Sequence, residues 1–247
     1  MILAKTFEEA RASRHQGELF NGTRYWRSDY FGFSKSGLDA PQAFYVEQFP
    51  STVVPPHFHE VNQFQVVVGG GGILGRHGLR PVAVHYAGGH TGYGPLTADA
   101  EGLNYFTLRP CADHGAQFLP QCRDKIRYSP IRRNAFGSEI EPWVEQALKG
   151  LSVPRLETVL DGYDDGLGAW LLRLGAGATA RAPGRQQGGG QYHLVLNGSL
   201  RHGEEILARH ACLFVSADEA PQQVTAGAEG LELLILQYPS GQAALRA

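Results

Sequence analysis

The chain has 247 residues, a formal net charge of −2, 43% hydrophobic residues and 19% charged ones. That composition belongs to a folded globular chain with room for one large domain or two small ones, and not to a disordered polymer. The near-neutral charge leaves no electrostatic footprint for nucleic acid or an anionic membrane, and no apolar run reaches transmembrane length, so neither partner is expected.

Taken in order, the first 14 residues mix Lys5, Glu8, Glu9 and Arg11 in a polar pattern, with a short helix predicted over 6–14. They lack the apolar segment of a secretory signal. The rest of residues 1–40 reads as irregular. Within it, the aromatic-rich piece 25–33 is expected to cover one end of a barrel, the alternative being a binding surface. From Ala43 onward strands dominate, at 44–49, 63–68, 72–75, 81–86 and 103–108, with a glycine turn at 69–72. The 32 glycines and 14 prolines fit many short strands joined by turns. Residues 111–160 break the pattern. A basic, polar piece at 122–133 and a helix at 141–149 make this segment read as a linker. Strands resume at 169–174, 191–198, 212–215 and 231–236. The three cysteines, Cys111, Cys122 and Cys212, are odd in number and lack metal-knuckle spacing. They read as reduced thiols of a cytoplasmic protein.

Chemistry concentrates around His57-Phe58-His59. Side chains two apart on a strand share a face, so the two imidazoles aim into one space, a common beginning of a metal site. If the chain stays extended, Gln63 and Gln65 join that face. His85 lies on the strand over 81–86 and His90 in the loop that follows it. Tyr93 is near the same mouth. Glu60 reads as a solvated loop carboxylate or, alternatively, a support to the site.

The chain also repeats itself. Gln63-Phe64-Gln65-Val66-Val67-Val68-Gly69-Gly70 aligns with Gln191-Tyr192-His193-Leu194-Val195-Leu196-Asn197-Gly198, and Glu101-Gly102-Leu103 with Glu229-Gly230-Leu231. Both anchors share one offset, 191 − 63 = 229 − 101 = 128. A period that long indicates tandem domains and not a solenoid. The offset places Arg185 and Gln187 opposite His57 and His59, so the second copy has lost its imidazoles. A guanidinium cannot ligate a metal, though with amides it could hold a carboxylate.

At this point the sequence resembles the cupin superfamily. His57-x-His59, three residues, Gln63, six residues and Gly70 match the spacing of that family's first motif, with Gln63 where a carboxylate is more usual. Gly89, five residues and Pro95 match the start of its second motif, whose histidine is missing; Gln222 sits near the corresponding place in the second copy. The resemblance implies an all-β architecture of two tandem double-stranded β-helix (jelly-roll, cupin) barrels with a short, partly helical linker. It divides the chain into an N-terminal extension (1–40), a first barrel (41–110), a linker (111–160) and a degenerate second barrel (161–240).

Two functions then stay open. In one, His57, His59, Gln63 and His85 hold a divalent transition metal (Fe, Ni, Zn or Cu) in the first barrel, serving a dioxygenase, isomerase or lyase on a small metabolite. In the other, a non-catalytic or structural cupin binds a small molecule without a tightly held metal. Cupins commonly pair through exposed sheet edges, which makes a homodimer the expected assembly.

Overall fold

β-branched and aromatic runs broken by glycine and proline favour strands that pair at long range. The computed structural model, which describes residues 1–32, 39–127, 132–161, 163–184 and 188–240, is built in that way. In chain order its first half contains β1 (Ile2–Lys5), α1 (Phe7–Arg11), β2 (His15–Glu18), β3 (Arg24–Phe31), β4 (Gln42–Gln48), β5 (Val53–Val54), β6 (His57–Phe58), β7 (Gln63–Leu74), β8 (His77–Leu79), β9 (Ala83–Ala87), β10 (Leu96–Arg109), β11 (Gln117–Phe118) and β12 (Asn134–Phe136). There follow α2 (Glu145–Lys149), β13 (Arg155–Leu160), β14 (Gly168–Leu174), β15 (Thr179–Arg181), β16 (Gln191–His202), β17 (Glu205–Ala208), β18 (Cys212–Val215) and β19 (Gln223–Gln237). The fold is all-β, two jelly-roll barrels in tandem. No helix among the described residues is long and apolar enough to cross a membrane.

Contacts divide the chain into two units, one of Ala10–Ile140 and one of Met1–Glu9 together with the chain from Glu141 onward. The first is a nine-stranded antiparallel sheet in the order β12-β9-β7-β10-β4-β3-β2, with β5 beside β10 and β8 beside β7. The second is an eight-stranded sheet in the order β1-β18-β16-β19-β14-β13, with β15 beside β19 and β17 beside β16. In each, a long central pair carries most of the core: β7 with β10, and β16 with β19.

Several local expectations change. The first 40 residues are not irregular. β2 and β3 extend the first sheet, β1 closes one edge of the second against β18, and the helix shrinks to Phe7–Arg11. Residues 111–140, read as linker, place β11 beside β6 and β12 beside β9. The second helix begins at Glu145 and not near Pro142, because Val144 is extended (φ −70°, ψ 150°). Residues 69–72 form no turn either. β7 runs through them, and Gly70 (φ +67°) pairs with Leu103 between two bulge-like register shifts. His210 is partly buried with its ring edge-on to Phe7 at 5.3 Å.

The repeat survives at the level of register. Leu103 pairs with Gly70 in the first unit and Leu231 with Gly198 in the second, both separated by the same 128 (231 − 103, 198 − 70). Gly198 has φ +66°, and a Cβ there would fall 2.1 Å from the Gly230 carbonyl oxygen. Left-handed backbone and a backbone clash together exclude a side chain. Replacing Gly198 by Ala is expected to destabilise the chain by about 2 kcal/mol or more, whereas Gly78→Ala, with open space around it, should change stability by less than ~0.5 kcal/mol. Denaturant midpoints of the two variants check this.

Candidate functional site

The inward faces of β3, β4, β7 and β10 in the first unit enclose a cavity of about 170 Å³. Register places its lining. Thr107 of β10 lies opposite Gln65 of β7 on one side and Phe44 of β4 on the other. Tyr105 lies opposite Val46, and Gln48 opposite Tyr25 of β3. His57 and His59 enter from the segment around β6, with rings 5.2 Å apart and nearly perpendicular. They share one space, as the spacing predicts. The aromatic strand β3 contributes Tyr25 and Arg27 to the lining, so this part of the 25–33 piece is a cavity wall; residue 33 lies outside the described residues.

A single hydrogen-bond chain organises the polar end, and its direction follows from which groups can only donate or only accept. Arg109, 5% exposed, donates from Nε to Gln63 Oε1 (3.1 Å) and from Nη1 to Gln42 Oε1 (2.6 Å). With its oxygen so engaged, the Gln63 amide turns its Nε2 to the Tyr93 hydroxyl oxygen. His57 Nδ1 lies 2.7 Å from the Pro55 carbonyl and carries the hydrogen, which leaves Nε2 to accept from the Tyr93 hydroxyl at 2.9 Å. His59 Nδ1 donates to Asp113 Oδ2 (2.7 Å), so the ring's acceptor is Nε2; Arg109 Nη2 lies beside the ring, 3.2 Å from Nε2 and 3.1 Å from Nδ1. Asp113, with no exposed side-chain surface, lies 3.5 Å from Arg109 Nη1 and neutralises it.

Burial fixes the protonation states. It lowers His57 to about 3, helped by neighbouring His59, and lowers His59 too, helped by the Arg109 charge. Burial raises the Tyr93 phenol well above its ordinary value, so the hydroxyl stays protonated. For Asp113 burial acts upward, but the His59 hydrogen bond and the charges of His59 and Arg109 outweigh it and hold the carboxyl well below the usual range.

His85 goes elsewhere. Its Nδ1 is 3.0 Å from Gln65 Oε1 and its Nε2 2.8 Å from Asn134 Oδ1, and burial lowers its pKa to about 4. His90 is buried too, but its Nδ1 accepts from the backbone N–H of Arg127. Glu60 is partly exposed and lies 3.4 Å from the exposed His114. Arg109, Asp113, Gln42 and Asn134 were not singled out from sequence. Arg109 alone had a readable signal, continuing the inward alternation Leu103-Tyr105-Thr107.

These donors do not fit a bare transition metal as they stand. The acceptor nitrogen of His57 takes a phenol proton, and that of His59 faces a guanidinium. A unit positive charge ~4 Å from that guanidinium meets repulsion on the order of 4 kcal/mol at a surface-like dielectric, only partly relieved by Asp113. Among the described residues, no three His, Cys, Asp or Glu side chains cluster so as to hold an ion.

In the second unit Arg185 and Gln187 lie outside the described residues. The face that carries Gln65, Tyr105 and Thr107 in the first unit carries His193, Leu233 and Ile235 in the second. Leu233 and Ile235 join a core with Trp170, Leu172, Leu213 and Val195. His193 is buried, with its Nε2 2.9 Å from Gln191 Oε1.

No protein-family model matches the chain, and no curated protein matches it in sequence. Solved structures do match in fold. A candidate dioxygenase from Nostoc punctiforme is 11% identical with a TM-score of 0.66, over 97% of this chain and 83% of that one. Oxalate decarboxylase from Bacillus subtilis is 10% identical with a TM-score of 0.60, over 96% and 76%. The pirin YhhW from Escherichia coli, solved with nickel(II), is 13% identical with a TM-score of 0.54, over 98% and 100%. These are cupin-fold proteins, and the fold is what this chain shares with them.

The depressed histidines make stability depend on pH. A histidine neutral when folded and near 6.5 when unfolded gains a proton on unfolding, so its stabilising contribution is present above pH 6.5 and is lost as pH falls through the folded value. His57 and His85 set that window at about pH 6.5 down to 3–4. Stability is expected to fall across it by up to about 1.4 kcal/mol per pH unit for each histidine. His57→Gln should flatten the slope of denaturation free energy against pH.

Proposed function

We propose that the first barrel is a small-molecule binding site whose His57–His59 pair belongs to a hydrogen-bonded wall and is not a tightly held metal centre. The observation that carries this is the Arg109 guanidinium beside His59 Nε2, in a network where Gln63 and Tyr93 are also engaged. Around that polar end the cavity is walled by Leu19, Phe44, Val46, Val54 and Leu96, the mixed lining of a ligand site. In this reading the chain is a two-barrel member of the cupin superfamily, with the second barrel retained for packing. The three free cysteines support residence in the reducing cytoplasm. A homodimer through a sheet edge is supported by β13, an edge strand with Leu156 53% exposed.

The second reading is a metal-dependent enzyme of dioxygenase, isomerase or lyase type, with His57, His59, Gln63 and His85 as ligands. The perpendicular convergence of the two imidazoles favours it, as does the shared fold with a nickel-bound protein. It requires Arg109 to leave His59 and Gln65 to release His85.

Elemental analysis of chain purified without chelator or added metal separates the two. Well under one transition metal per chain is expected, with no change in His57→Ala or His59→Ala. One metal per chain, lost in both variants, establishes the second reading instead. A ligand-observed NMR fragment screen tests the binding site itself. Hits are expected, and they should disappear when Val54→Trp fills the cavity; hits unaffected by that substitution would place binding elsewhere.

A further inference from the structure

The cavity's hydrogen-bonding capacity is distributed unevenly. At the histidine end the polar groups bond one another. On the wall of β4, β7 and β10 they do not. Gln48, 3% exposed, donates from Nε2 to the Thr52 and Leu96 carbonyls (3.0 and 3.3 Å), but its Oε1 is buried with no partner. Gln65 meets His85 with one end of its amide and leaves the other end without a bond. Among the described residues, the Tyr105 and Thr107 hydroxyls likewise make no hydrogen bond. The Gln48 oxygen has no surface open to the cavity, but buried polar groups are ordinarily satisfied, and the three unspent groups of Gln65, Tyr105 and Thr107 on one wall of a cavity point to a polar molecule that meets them.

Charge and size narrow that molecule. Both guanidiniums in the lining are paired, Arg27 with Asp29 at 2.6 Å and Arg109 with Asp113 at 3.5 Å. The unspent groups are neutral and include both donors and acceptors. No uncompensated cation faces the cavity to repay the desolvation of a carboxylate. A volume of about 170 Å³ is slightly more than the ~150 Å³ that encloses one benzene ring. The faces of Phe44, Tyr25 and Tyr105 supply aromatic walls.

We infer that the ligand is a neutral molecule about one ring in size bearing a hydroxyl or amine, oriented by Gln65, Tyr105 and Thr107 and not by the histidine pair. This rests on the first barrel being a binding site.

Calorimetric titration of the full chain with phenol, toluene, benzoate and 2-naphthol tests it. One to two hydrogen bonds of ordinary strength predict that phenol binds about tenfold more tightly than toluene. Benzoate and 2-naphthol should bind more weakly than phenol, for charge and for size. The double variant Tyr105→Phe/Thr107→Val should lose about tenfold in phenol affinity and leave toluene within about twofold. Equal binding of phenol and toluene overturns the inference, as does benzoate or 2-naphthol binding as tightly as phenol. If the double variant loses its far-ultraviolet circular dichroism, the ranking on the unaltered chain decides. Failure of all four probes while the fragment screen yields cavity hits removes this ligand class and leaves the binding site standing; failure of both removes the site.

Discussion

One guanidinium sets the direction of the hydrogen bonds at the polar end of the first barrel. Arg109 can only donate, so the Gln63 and Gln42 oxygens must turn toward it. The Gln63 nitrogen then faces Tyr93, whose hydroxyl proton goes to His57, whose own proton goes to the chain at Pro55. On its other side Arg109 meets His59, which donates its Nδ1 hydrogen bond to Asp113. The buried charge is tolerated because Asp113 lies at hand, Nε and Nη1 find the Gln63 and Gln42 oxygens, and Nη2 finds the His59 ring. Loss of Asp113 would leave that cation uncompensated inside the barrel, and loss of Arg109 would free Gln63, Tyr93 and His59 together.

The same network separates two features that the sequence motif joins. His-x-His spacing reports that two imidazoles share a face, which holds here. It does not report what meets their acceptor nitrogens. In this barrel those partners are Tyr93, from the loop before β10, and Arg109, at the far end of β10. The two barrels also treat their interiors differently. Tyr105 and Thr107 face a cavity in the first, and their counterparts Leu233 and Ile235 fill a core in the second. Similar strands and similar bulges thus enclose space in one barrel and close it in the other.

How much of this was legible depends on range. Apolar, β-branched and aromatic runs between glycines and prolines revealed β4, β7, β10, β14, β16 and β19, because these strands are buried on both faces over much of their length. The offset of the repeat was readable because Gly70 and Gly198 answer one geometric need, a bulge pressed against a backbone carbonyl. Gln63 was placed correctly on the shared face, but the orientation of its amide depends on Arg109, 46 residues on. Asp113 and Asn134 come from a stretch with no periodicity at all, and only the folded chain carries them to His59 and His85. The glycine-rich run in β7 looked like a turn because glycine ordinarily marks one; here it lets neighbouring backbone come close.

β1 illustrates a consequence of chain order. Ile2–Lys5 pairs with Cys212–Val215, so one edge of the second sheet is made from two segments synthesised about 200 positions apart. Until β18 has emerged, β1 has no partner and its backbone donors wait in solvent. Contacts of such separation close late, since the entropy of the intervening loop is lost before the pairing returns anything. The second barrel therefore completes this edge only after residues 212–215 have been made, and a nascent chain stalled before residue 212 would present β1 as an unpaired strand open to chaperones or to misassembly.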